Sequence, residues 1–218
     1  MAIAFSTAHG FANGTGTAVS LPNVQTTGDN RILFFTMLSG TSVLSVNPTF
    51  GGVTMTQLGT TENIADALPF VSCWYLVAPS TTSGSITATL NSSQNWRVSA
   101  VSYTGVWQEE PVGTSTQGTT TSSPLTIQRT SDANGSWMFA TLEDAGQGGV
   151  TANSGCIVRQ VVGADLGASL DSNATIANTV THSLVVNITG SGQKCGYFGV
   201  MMRPVATVAN TSNFFLVM

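Results

Sequence analysis

The chain has 218 residues, enough for one large β domain or two small ones. Apolar residues make up 42% and charged residues only 7%, against roughly 25% charged in an average domain, so a disordered polyelectrolyte is excluded. The net charge is −4, and the few cations (Arg31, Arg97, Arg129, Arg159, Arg203 and Lys194) are scattered, which argues against nucleic-acid binding because no basic run neutralises phosphates.

Polarity comes instead from Ser, Thr, Asn and Gly, a mixture that suits pleated surfaces and turns. Ile3–Ser6 reads as a first strand, followed by a Gly/Asn-rich stretch and then Thr17–Leu21. The long segment before Arg31 has the look of an N-terminal arm. Asp29-Asn30 predicts a turn, and Arg31–Leu38 is a nearly continuous apolar strand of the kind covered on both faces. Val43–Val46 is expected to stop at Asn47-Pro48. Gly51-Gly52, free to adopt positive φ, then opens the strand Val53–Leu58. Phe70–Val77 is strongly apolar and ends at Ala78-Pro79. In Ser85–Leu90 the alternation is clean, with Ile86, Ala88 and Leu90 inward and Thr87 and Thr89 outward. Trp96–Thr104 places Trp96, Val98, Ala100 and Ser102 on one face.

A polar, Thr-rich stretch from Gly105 to Pro124 separates two halves of similar length. Beyond it, Pro124–Ile127 is a short strand and Asp132–Gly135 a turn of hairpin type. Strands are predicted at Ser136–Leu142, Cys156–Val162, His182–Ile188 and Cys195–Arg203. The nearest candidate helix, Ala164–Ala177, is rich in Gly and Asp and lacks a sustained 3.6-residue period. The expected fold is all-β: an antiparallel β-sandwich, with a jelly roll as one arrangement of it. Residues 1–204 are expected to form a single sandwich domain, and 205–218 a C-terminal apolar arm.

Several segments together carry a resemblance: Ile3-Ala4-Phe5, Gly28–Leu33, Phe50–Thr56, Trp74–Pro79 with Gly84–Thr87, and Val101–Val106. In this order they resemble a β-sandwich module common in phage structural proteins and in some bacterial surface proteins. The resemblance covers most of the chain up to Arg203. It implies a virion component, such as a capsid decoration, tail or fibre protein, and it carries over no active-site residues.

A search for chemistry finds little that is specific. His9 sits in a segment expected to be exposed, and His182 begins a strand. Neither has metal-ligand spacing to Cys, Asp or Glu, so no metal, cofactor or catalytic residue is assigned. Glu109-Glu110 and Glu143-Asp144 are acidic pairs of the type glycoside hydrolysis needs, but they read better as solvated loop charges. Asp132, Asn134 and the carbonyls near Gly135 offer oxygen ligands, yet without a calcium-loop spacing they read as a turn. Cys73 is expected to be a buried thiol, and a Cys156–Cys195 bridge stays open. The non-enzymatic expectation follows from this lack of a reactive cluster.

Two aromatics, Trp96 and Trp107, are a candidate ligand platform for a host-surface glycan, with core packing and loop anchoring as the plainer roles. The tail Phe214, Phe215, Leu216, Val217 and Met218 is wholly apolar and is expected to complete the chain's own sheet or to act as an assembly arm in a neighbour. The opening MAIAFSTAHGFANG has neither a basic nor a long apolar stretch, and no run reaches membrane-span length. Synthesis in the cytoplasm is therefore expected, and residence in the virion, with the host as the site of synthesis, is what the resemblance implies. The expected partners are identical subunits and other virion proteins, and a surface this poor in charge favours coverage by such neighbours.

Overall fold

The computed structural model describes residues 1–40, 44–63, 70–144, 149–162, 167–189 and 194–206, with the side chains of Asn63 and Asp144 set aside. The first half contains β1 (Ala4–Val24), β2 (Ile32–Ser39), β3 (Leu44–Phe50), β4 (Val53–Thr54), β5 (Thr56–Asn63), β6 (Phe70–Val77) and β7 (Gly84–Thr104). The second half contains β8 (Val112–Thr120), β9 (Leu125–Thr130), β10 (Trp137–Asp144), β11 (Val150–Ser154), β12 (Ile157–Val162), β13 (Gly167–Asp171), β14 (Thr181–Ile188) and β15 (Cys195–Met202). No helix occurs among the described residues, and every strand pairing is antiparallel. The chain is an all-β sandwich, and its described residues form three sheets.

The first half makes one seven-stranded sheet in the order β4-β3-β7-β2-β6-β5, with β1 on the other side of β7. β2 is buried at every position, as a strand covered on both faces must be. Its even residues Ile32, Phe34 and Leu38 face the second half of the chain, while Leu33, Phe35 and Met37 face outward into a separate core. That outer core exists because the sheet curls. β1 and β7 pair from Ala4↔Thr104 to Val24↔Gly84, but between Gly16↔Gln94 and Ala18↔Thr89 the ladder breaks. There β7 carries the exposed extra residues Asn91, Ser92 and Ser93 opposite Thr17. This bulge turns the strand pair through a corner. The far wall then brings Val19, Leu21, Ile86 and Leu90 over Leu33, Phe35 and Trp74.

The second half contributes a five-stranded sheet, β12-β13-β10-β15-β8, and a three-stranded sheet, β11-β14-β9. Between them Ile127, Met138, Leu142, Leu170, Leu184 and Met201 form an inner core. The opposite face of β10 and β15 presents Trp137, Phe139, Phe198, Val200 and Met202 to β2, β6 and β7. Phe34 and Phe139 stack with centroids 4.0 Å apart and planes at 15°, and Tyr103 meets both edge-on. The middle core therefore draws on both halves.

Several expectations need correction. The N-terminal segment is not a projecting arm: it is β1, an edge strand paired along its length with β7. Its glycines hid a strand that is held by backbone pairing more than by side-chain pattern. β3 does not stop at Pro48 but runs to Phe50, because a register shift between Val46 and Thr49 absorbs the missing N–H. The polar stretch 105–124 contains β8, which pairs with β15. Asp132–Gly135 does not close a hairpin, since β9 and β10 lie in different sheets and the turn carries the chain across the inner core. The candidate helix contains β13, whose five residues are all buried. Phe214–Met218 lie outside the described residues.

Gly51 and Gly52 do take positive φ, 59° and 80°, in the two-residue turn joining Phe50 to Val53. We expect Phe139→Ala to cost about 3–5 kcal/mol, the range for emptying a large aromatic from a packed core. Urea unfolding followed by tryptophan fluorescence and far-UV dichroism measures it. A loss below about 1 kcal/mol would mean the middle core is not a cohesive element.

Candidate functional site

The structure separates the two tryptophans. Trp96 lies in β7, 8% exposed within the outer core, directly opposite Gly14 of β1. A Cβ at Gly14 would stand 2.6 Å from the indole Cζ2, so the glycine is what lets the ring lie flat across the neighbouring strand. Trp107 lies beyond the far end of β7, after about 26 Å of extended chain from Trp96 to Thr104. The two rings cannot form one platform. Trp96 packs, and Trp107 alone lines a cleft.

That cleft is built where the ends of two strands run together. Trp107 N–H donates to the Arg203 carbonyl at 2.9 Å, Val205 N–H to Gly105 at 3.0 Å, and Arg203 N–H to Pro111 at 3.0 Å. This short ladder fixes the segments after β7 and β15 beside each other. The resulting cavity, about 680 Å³, is lined by Met1, Trp107, Asp132, Asn134, Arg203 and Pro204, among others. Its size falls within the usual range of ligand pockets, about 300–1,000 Å³.

Arg203 organises the polar side. Its Nη1 donates to Glu110 Oε2 at 2.8 Å, and its Nη2 and Nε to Asp132 Oδ2 at 2.5 and 3.1 Å. The guanidinium hydrogen bond holds the Asp132 carboxyl below the usual carboxylate range, and the same bond raises Arg203 further. Asp132 is thus shifted away from what a general acid needs. It is an ionised acceptor. The expected turn at Asp132–Gly135 is present, with Gly135 at φ +80° and the Asn134 Oδ1 accepting the Asn178 N–H at 2.9 Å. Two of the oxygens considered for calcium are therefore already engaged, one by Arg203 and one by Asn178. Among the described residues, no three His, Cys, Asp or Glu side chains cluster as a metal site.

The other singled-out residues lie elsewhere. Glu143 is not a solvated loop charge: it is fully buried at the end of β10, with Arg97 Nε 3.9 Å from its Oε2. Glu109 is exposed, as expected. Cys73 is fully buried, and burial pushes its thiol up to about 12. Cys156 is an unbridged thiol with its Sγ 3.3 Å from the Val185 carbonyl, so the bridge to Cys195 is not formed. His182 Nε2 lies 2.8 Å from the Gly155 carbonyl. His9 is not exposed but half-buried, with Nε2 2.9 Å from Ser102 Oγ, and burial lowers its pKa to about 4. Each of the five arginines is held by an acceptor: Arg31 by Pro79, Arg97 by Glu143, Arg129 by Ser115, Arg159 by Asp171 and Arg203 as above.

Arg203, Asp132 and Glu110 were invisible as a set in the sequence, where 71 and 93 positions separate Arg203 from its two partners. The only available signal was scarcity, since so few charges make any ion pair notable. No protein-family model matches the chain, and no curated protein matches it significantly.

His9 makes stability depend on pH. Its folded value, about 4, lies below the ordinary 6.5, so the unfolded chain takes up the proton first on acidification. The contribution of neutral His9 is complete above about pH 6.5 and is lost as pH falls through about 4. In urea melts, the stability advantage of wild type over His9→Gln should shrink between about pH 7.5 and 4.5. A constant difference would show that the ring is hydrated in the folded protein.

Proposed function

We propose that the chain is a non-catalytic structural subunit of a phage virion, an exterior capsid decoration or tail-associated protein. It acts by packing against identical subunits and other virion proteins. The observation that carries this reading is the edge strand β1. Over its 21 residues it contains no Lys, Arg, Asp or Glu, and among the described residues it pairs only with β7.

Free edges are normally guarded by charge, proline or bulges, because unpaired N–H and C=O groups recruit other strands. β1 has Pro22 and several bulges. Between them, however, Phe11–Gly16 pairs in unbroken register with Ser99–Gln94 and exposes Phe11, Asn13 and Thr15. Phe11 is 44% exposed. A second copy can pair along this run about a two-fold axis, each strand satisfying the other's backbone. The low overall charge supports the same reading, since it removes the repulsion that keeps subunits apart.

Light scattering over a concentration series tests this. Wild type should associate, and a double substitution, Asn13→Lys with Thr15→Lys, should leave a folded monomer with an unchanged far-UV spectrum. A wild-type chain that stays monomeric at all concentrations and does not copurify with particles would remove the proposal.

A further inference from the structure

We propose that the cleft at Trp107 binds a neutral saccharide, an activity separate from assembly through β1. The lining has two characters that only some ligands satisfy together. Trp107, Pro204 and Met1 supply apolar surface, with the indole as the one large flat face among the described lining residues. Glu110, Asp132 and Arg203 supply hydrogen-bonding groups, and both carboxylates keep solvent-facing surface, 61% for Glu110 and 37% for Asp132.

Consider the ligand classes in turn. A purely apolar molecule would strip water from Glu110, Asp132 and Arg203 and return no hydrogen bonds, a costly exchange. An anion would meet two carboxylates that already claim the single guanidinium. A cation would meet Arg203, held between those carboxylates. A neutral polyol conflicts with none of them. Its hydroxyls donate to the carboxylates and accept from the guanidinium edge, while the C–H face of a sugar ring lies on the indole.

Preorganisation supports the same choice. The backbone ladder between residues 105–107 and 203–205 holds Trp107 and Arg203 in place, and three hydrogen bonds to two carboxylates fix the guanidinium plane. Little ordering is left to be done on binding. Glu110 and Asp132 come from different loops and meet at the one Arg203 guanidinium.

The test uses the full-length protein on an array of neutral oligosaccharides (gluco-, galacto- and N-acetylglucosamine-based) beside sialylated and sulfated ones, followed by calorimetry on the best ligand. Neutral glycans should be retained. Trp107→Ala should weaken binding roughly tenfold or more, with an unchanged thermal midpoint. Glu110→Gln, at an exposed position where folding is not at stake, should weaken it severalfold. The Asn13→Lys, Thr15→Lys variant should bind as wild type does. Retention of anionic glycans alone, retention of none, or undiminished binding by both cleft variants would overturn the proposal.

Discussion

The face between β2–β6–β7 and β10–β15 is the contact on which the rest of the molecule depends. Phe34 stacked on Phe139, with Tyr103 edge-on to both and Trp137 edge-on to Tyr103, joins residues of the first half to residues of the second. Polar groups mark its borders. Thr36 Oγ1 donates to Thr141 Oγ1 at 3.0 Å, and Thr141 passes a hydrogen bond to the Ala168 carbonyl. At one edge Gln117 of β8 accepts from the Thr60 N–H and donates to Glu62. At another, Arg159 is bidentate to the fully buried Asp171 while its guanidinium lies 4.5 Å over the Phe5 ring of β1. Buried ion pairs contribute little net stability against desolvation, but a displaced sheet would strand their charges. Hydrophobic area supplies the cohesion here, and the pairs fix the register.

The parts legible in the sequence were those where side chains declare both faces. β2 is apolar throughout because cores lie on both sides of it. Ile86, Ala88 and Leu90 alternate with Thr87 and Thr89 because one side there meets solvent. Three features escaped for a common reason: their fold is set by partners distant in sequence. β1 reads as turn material at Phe11–Gly16, yet Gly14 is required beneath Trp96. β8 reads as a linker, yet its Gly118 lies under the Tyr197 ring, where a Cβ would be 3.2 Å from Cζ. Asp132–Gly135 has the composition of a hairpin turn, and composition does not say which sheet the next strand joins.

The cleft was half legible. Trp107 stood out as an aromatic beside a polar stretch, whereas its polar partners carried no local signature. Glu110 and Asp132 looked like ordinary loop acids, and their significance lies only in sharing Arg203. Glu143 shows the opposite error. A carboxylate at a predicted strand end looked solvated, but that strand end is covered by a second sheet carrying Arg97.

The pairing of Ala4 with Thr104 also has a temporal consequence. β1 leaves the ribosome well before its ladder partner near the end of the first half, so its backbone must wait, hydrated and unpaired, while the intervening strands emerge. β2 waits for the same partner. Closing so large a loop is entropically slow, and chains dominated by such distant pairings fold late. A glycine-rich, weakly patterned β1 is well suited to that delay, because a more apolar strand held open would be the first to find the wrong neighbour.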